Sequence, residues 1–269
     1  MQQVSGLGKT DRKRLATLIR GTKGTVSVRE TATILEVSST EAAKMLARWA
    51  SKGWLSRVRR GLYVLVPLES GTPDVPLEDP WVIANRLYSP CYIGGWSAAE
   101  HWGMTEQVFR TVLVMTTMRP RDRRPVFKGT SFLLRTISQE AMFGLKSVWR
   151  GQVTVSVSDP ARTIVDMLAD PSLGGGIRST ADVLNAYLRT ETKNISLLTE
   201  YAARLGNGAV FKRLGFLLER FAPEEREAVA ASVSRLTKGR AKLDPSLSAD
   251  KLVTRWRLWV PDNWKAEAE

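Results

Sequence analysis

Between Thr40 and Lys52 apolar side chains return every three to four residues. Ala42, Met45, Leu46 and Trp49 form one stripe, while Thr40, Glu41, Lys44, Arg48 and Ser51 lie on the other side. That period predicts an amphipathic helix with one buried face. Ser39 offers an N-cap and Gly53 a glycine stop. Past Gly53 the period falls to two: Trp54 to Val58 and Leu62 to Val66 read as strands. Arg59-Arg60-Gly61 makes their turn, with Gly61 free to take positive φ. Upstream, Thr10 can cap a helix through about Arg20, with Leu15, Leu18 and Ile19 on one face. Gly21 and Gly24 bracket a break, Val26 and Val28 fit a short strand, and a second helix from about Arg29 to Leu35 buries Ala32 and Leu35. Val37-Ser38-Ser39 is the turn into the third helix. Three short helices and a basic hairpin in about 65 residues is the order of a winged helix-turn-helix.

The pattern changes at PLESGTPDVPLEDP, which holds four of the twelve prolines together with Glu69, Asp74, Glu78 and Asp79. Such a stretch buries little and reads as a semi-extended linker over 67–79. Beyond it a helix runs from Asp79 or Pro80 to about Leu87, followed by a short strand at Tyr92-Ile93 and a helix from Trp96 to Trp102. Val108 to Thr117 has strong β character. The basic loop Arg119 to Arg124 leads to a second strand, Val126 to Ile137, and a hairpin follows about Arg150-Gly151. Asp159 and Pro160 open another helix as N-cap and first-turn proline. Helices are then expected at about Thr180–Arg189, Ser196–Leu205, Gly208–Phe221 and Pro223–Thr237, and TRWRLWV, Thr254 to Val260, alternates like a strand. The fold class expected is α+β. A winged helix over 1–66 is joined to a larger domain over 80–269 with a mostly antiparallel sheet and C-terminal helices.

Charge adds direction to this outline. Residues 1–66 hold 13 Lys/Arg against 4 Asp/Glu, a net +9, whereas the other 203 residues carry only +4 of the total +13. A concentrated basic segment implies a polyanionic partner, because each neutralised phosphate releases condensed counterions. The absence of a strongly amphipathic basic helix favours double-stranded DNA over a membrane surface. No apolar run is long enough to span a bilayer, and the N-terminus lacks the apolar core of a signal peptide, so a cytoplasmic location is expected.

Placed on DNA, the third helix would enter the major groove N-terminus first. Ser39, Thr40 and Lys44 then lie nearest the base edges, with Arg48 further along. Arg57, Arg59 and Arg60 reach phosphate or the minor groove from the hairpin, and Arg29 and Lys23 serve as outer phosphate contacts.

Candidate chemistry elsewhere is thin. One cysteine, Cys91, excludes a disulfide framework and a cysteine-rich zinc site. His101, the single histidine, stands between Trp96 and Trp102, where a histidine is ordinarily a packed core residue; a Cys91/His101 nucleophilic pair has nothing to orient it. Asp159 and Asp166 share a helix face, as a metal-dependent nuclease would need, yet both have structural readings as N-cap and polar helix position. Trp256, Trp259 and Trp264, with Arg255 and Arg257, could stack single-stranded bases or simply alternate along a strand. No phosphate loop, zinc spacing or serine elbow occurs. No catalytic, cofactor or metal residue is therefore assigned, and no enzyme is expected.

Several ordered segments resemble the AbiEi-type antitoxins of bacterial abortive-infection, or type IV, toxin–antitoxin systems. They are RRGLYVLVP closing the winged helix, the acidic proline linker, DPWVIANRLYSPCYIGGWSAAEHWGMTEQV, and the strand pair about Arg119–Arg124. SDPARTIVDML, RLGFLLE and the final LDPSL and TRWRLWVP complete the set. The resemblance implies a protein that binds inverted repeats in its own promoter through the winged helix, with Ser39, Thr40, Lys44, Arg48, Arg57, Arg59 and Arg60 as the DNA contacts. It also implies a C-terminal domain that counters a nucleotidyltransferase-like toxin, functionally or by direct contact. The alternatives are a nuclease delivered to DNA by its winged helix, or a plain ligand-sensing or dimerising transcription factor.

Overall fold

The computed structural model describes residues 6, 8–22, 25–66, 79–127, 129–261 and 264. Leu15 and Leu18 of the first helix, α1 (Lys9–Gly21), meet Met45, Leu46 and Trp49 of α3 (Ser39–Ser51) in a small apolar core. Between them come β1 (Thr25–Ser27) and α2 (Val28–Leu35), and after α3 the hairpin β2 (Leu55–Arg59) and β3 (Leu62–Leu65). β3 pairs antiparallel with both β1 and β2, so the expected winged helix is the observed one.

Local chemistry sets the boundaries, sometimes one or two residues from expectation. Gly8, not Thr10, precedes α1, and Thr10 lies inside the helix. α2 is closed by a capping box in which Ser27 and Glu30 each accept from the other's amide. Its buried residue is Thr31, whose hydroxyl donates to the Ser27 carbonyl, while Ala32 and Leu35 are only half-buried. Glu36 takes a left-handed φ of 52° to turn the chain into α3. Ser38, rather than Ser39, caps α3, its Oγ accepting from the Glu41 amide at 3.1 Å. Of the expected linker 67–79, all but Asp79 lies outside the described residues.

Asp79 caps α4 (Pro80–Tyr88) through Trp81 N–H, and also pairs with Arg150 at 2.7 Å. Then follow β4 (Cys91–Ile93), α5 (Gly95–His101), β5 (Thr111–Thr116), β6 (Val126–Phe127), β7 (Thr130–Thr136), β8 (Leu145–Arg150) and β9 (Val153–Ser158). These strands form one six-stranded sheet in the order β6-β7-β5-β4-β9-β8. Three of its five neighbour pairs are antiparallel, while β5–β7 and β4–β9 are parallel. The single strand expected over Val126–Ile137 is instead the hairpin β6–β7, and the chain from β5 crosses over to bring β7 in parallel.

Side chains alternate between two cores, as the two-residue period requires. Cys91, Ile93, Val114, Phe132, Leu134, Val155 and Val157 face Trp81, Val82, Ile83, Ala84 and Leu87 of α4. Val58 and Leu62 of the winged-helix hairpin are buried in this same cluster. On the other face Tyr92, Leu113 and Met115 meet Trp96 and Leu173.

The rest is a helical layer around α6 (Pro160–Ala169), with α7 (Ile177–Leu188), α8 (Ile195–Leu205), α9 (Gly208–Phe221) and α10 (Arg226–Ser234) sharing one large core. A small sheet of β10 (Ala241–Lys242), β11 (Lys251–Val253) and β12 (Leu258–Val260) closes it. The strand expected over Thr254–Val260 therefore divides. Thr254–Trp256 is a 3-10 turn, and Arg257 at φ 52° sends the chain back so that β12 pairs antiparallel with β11.

Candidate nucleic-acid interface

α3 buries Ala42, Met45, Leu46 and Trp49, so its opposite face is committed to solvent. Ser39, Thr40, Glu41, Lys44 and Arg48 are all exposed there. Because Ser38 caps the helix, Ser39 and Thr40 occupy its first turn, where free amides and the positive helix end favour an anionic partner. α1 braces this face by two ion pairs: Arg48 to Asp11 at 2.7 Å and, more loosely, Arg14 to Glu41 at 3.9 Å. Arg48 is thus partly neutralised in the free protein, whereas Lys44 has no ion-pair partner among the described residues.

Arg57, Arg59 and Arg60 are exposed on the hairpin. A register shift between Arg57 and Arg59 lets Val58 turn into the α4 core while both arginines stay in solvent. The turn itself needs Gly61 at φ 78°, and its carbonyl accepts from Val28 N–H at 3.2 Å. The tip is therefore tied to the start of α2, next to the exposed Arg29. Lys23 lies outside the described residues.

The structure also brings in a segment that sequence order leaves remote. β5 ends where Thr116 Oγ1 donates to the Tyr88 carbonyl at 2.6 Å, and the run Arg119–Arg124 leaves from this point. Arg119, Arg121, Arg123 and Arg124 are exposed, and the one carboxylate in the run, Asp122, accepts from the Arg124 amide. Burial first, and then the negative charge of Asp122, push the Tyr88 hydroxyl up to about 12, against the opposing pull of Arg59. The loop leaves beside Tyr88, and Tyr88 packs on the apolar cluster that holds Val58 and Leu62 of the hairpin. The sequence marks this loop as basic, but only the packing of α4 on Val58 and Leu62 places it beside the hairpin.

α2 is tied to α4 as well, by the ion pair of Glu30 with Arg86. Burial alone would raise the Glu30 carboxyl, but hydrogen bonds from Ser27 and the Arg86 guanidinium outweigh it and hold the group below its ordinary range.

The remaining candidates have structural partners. Asp159 caps α6 and accepts from Tyr201 Oη at 3.0 Å. Asp166 accepts from Tyr92 Oη at 2.8 Å and pairs with the fully buried Arg162 at 2.9 Å. No group of three His, Cys, Asp or Glu able to hold a metal ion occurs among the described residues. Burial pushes the Cys91 thiol up to about 11, away from nucleophilic reactivity. His101 stands edge-on to Trp81 and Trp102, with burial and Arg150 lowering its basicity. Trp256 is fully buried and donates to Glu219, so it cannot stack an incoming base. No helix among the described residues is long and apolar enough to cross a membrane.

An exposed, capped helix at the end of a helix-turn-helix, flanked by an arginine-tipped hairpin, defines a winged-helix protein of the DNA-reading class. Residues 13–66 match the family of transcriptional regulators described as AbiEi antitoxin. No curated protein matches the chain. The fold as a whole is similar to the crystal structure of the RV2827C protein from Mycobacterium tuberculosis. The TM-score is 0.64 at 14% identity, over 96% of this chain and 94% of that one.

Proposed function

We propose that this chain is a DNA-binding antitoxin that represses its own operon and acts without catalysis. In this reading, residues 1–66 are the DNA reader, 67–79 the linker and 80–269 the part that counters a nucleotidyltransferase-like toxin. The observation that carries the proposal is the coincidence of the family match over 13–66 with an exposed polar face on α3 and three unburied hairpin arginines. Ser39, Thr40 and Lys44 read base edges in the major groove, while Arg57, Arg59 and Arg60 hold phosphate, with Arg29 and Lys23 as outer contacts. Arg48 joins them once DNA displaces Asp11. The loop Arg119–Arg124, beside the hairpin, extends the positive surface onto the larger part of the chain. The protein would work in the cytoplasm, bound to inverted repeats in its promoter.

Two measurements test this. Footprinting on the DNA upstream of the gene should protect an inverted repeat at concentrations that leave random DNA unprotected; uniform protection refutes specific repression. Co-expression with the product of the adjacent gene should restore growth that this product alone arrests. An adjacent product that is harmless, or arrest that persists, refutes the antitoxin half while leaving the repressor half standing.

A further inference from the structure

A half-open cavity of about 390 Å³ opens at the start of β5 and β7. Its lining is Trp96, Phe109, Arg110, Thr111, Arg124 and the β7 residues Ser131 to Leu133. Trp96 and Phe109 stack at 5.2 Å with an interplanar angle of 16°, and form an aromatic wall. The wall is fixed in place: Trp96 Nε1 donates to the Thr111 carbonyl at 2.7 Å, so the indole has no unmet polar demand, and the 9% of it left exposed is ring, beside the half-buried Phe109. Two guanidiniums, Arg110 and Arg124, stand at this wall, both exposed, and no carboxylate belongs to the lining. Val108 and Val126, 81% and 62% exposed, lie at its edge; Val126 pairs across the strand with the lining residue Ser131.

We propose that this cavity binds a small planar aromatic anion, its ring laid against Trp96 and Phe109 and its carboxylate or phosphate held by Arg110 and Arg124. The volume falls in the range of small-molecule sites, which are largely apolar with a few convergent polar groups. Stacking supplies affinity for a flat ring. Guanidinium forks favour carboxylate or phosphate over other polar groups. The site shares Arg124 with the basic run Arg119–Arg124 but uses no residue of α3 or of the hairpin.

Calorimetric titration of the full chain with four probes tests the proposal. The probes are adenosine 5′-monophosphate, indole-3-acetate, adenosine and inorganic phosphate. At least one of the two ring-bearing anions should bind, at least ~10-fold more tightly than adenosine or phosphate, since a charge-assisted hydrogen bond is worth about a decade in affinity. Binding of the nucleotide alone identifies a nucleotide site, and binding of the indole acid alone a site for an aromatic acid. Arg110→Gln with Arg124→Gln, both surface replacements, should weaken that binding by at least ~10-fold. The proposal fails if neither ring-bearing anion binds at millimolar concentration. It also fails if phosphate or adenosine binds as tightly as the ring-bearing anions, or if the double variant binds as well as the parent.

Discussion

Replacing Arg59 and Arg60 together by alanine is the sharpest test of the hairpin. Both side chains are exposed and the turn is made by Gly61, so the fold should survive; an unchanged thermal midpoint would confirm it. Each phosphate contact contributes about 0.9 to the slope of log affinity against log salt, so losing two should lower the slope by about 1.8. Over a fourfold rise in salt, from ~50 to ~200 mM, a slope difference of 1.8 changes the affinity ratio of parent to variant by about 12-fold. Fluorescence anisotropy on one promoter duplex and one random duplex, across that salt range, measures it. The loss should be the same on both duplexes, because phosphate carries no sequence information. Arg48 supplies an internal control. Its guanidinium sits 2.7 Å from Asp11, so Asp11→Asn should raise the affinity on both duplexes and leave the slope near the parent's, because the contact then forms without displacing a carboxylate. A slope unaltered by the Arg59/Arg60 change would remove the hairpin from the DNA contact, whatever happened to the affinity.

Lys44→Ala should act differently, relaxing sequence preference by about 1–3 kcal/mol if the ammonium reads a base. Competition between promoter and random duplexes checks this, and equal loss on both would make Lys44 a phosphate contact. In the helical layer, Asp166→Leu should cost about 3–5 kcal/mol by urea denaturation, because it strands the buried Arg162 guanidinium. The double change Arg162→Met with Asp166→Leu should cost less than Asp166→Leu alone; a simple sum of the two single effects would show that the pair is not coupled. Asp244 gives a pH signature. Burial raises its carboxyl, but hydrogen bonds from Ser246 and the Ile177 amide and the charge of Arg213 outweigh this and leave it below its ordinary value. A group lowered on folding stabilises above its unfolded pKa, and that contribution fades as pH falls through the folded value. Asp244→Asn should therefore lower the melting temperature at neutral pH and narrow its difference from the parent below about pH 4, where the unfolded carboxyl also protonates. A constant difference across pH would refute the charge argument.

The reader was legible in sequence because its determinants are local. The stripe Ala42, Met45, Leu46 and Trp49 and the glycines at 53 and 61 act over one turn of helix or one hairpin. Capping was less secure, since Ser38 and Ser39 are chemically alike and only backbone geometry chooses between them. Strand neighbours were not legible, as alternation in Val112 to Met115 is identical whether the partner runs parallel or antiparallel. TRWRLWV alternates as a strand should, yet the left-handed Arg257 breaks it, a conformation that no residue pattern announced. Asp166 reads in sequence as an ordinary polar position on α6, and its burial against Tyr92 depends on a residue 74 positions away. The position of Arg119–Arg124 beside the hairpin was hidden for the same reason: alternation tells which face Val58 and Leu62 present, not what covers it.

That cover has a consequence for how such a protein can change. Val58 and Leu62 are shared with α4, and Glu30 reaches across to Arg86. The reader is thus no interchangeable head. A foreign winged helix grafted at residue 66 would have to bring matching apolar side chains and a matching carboxylate, or leave α4 bare to water. Substitution at Ser39, Thr40 and Lys44 carries no such condition, because those side chains are exposed. New operators should therefore be acquired by point changes on one helix face, with the body beneath inherited intact.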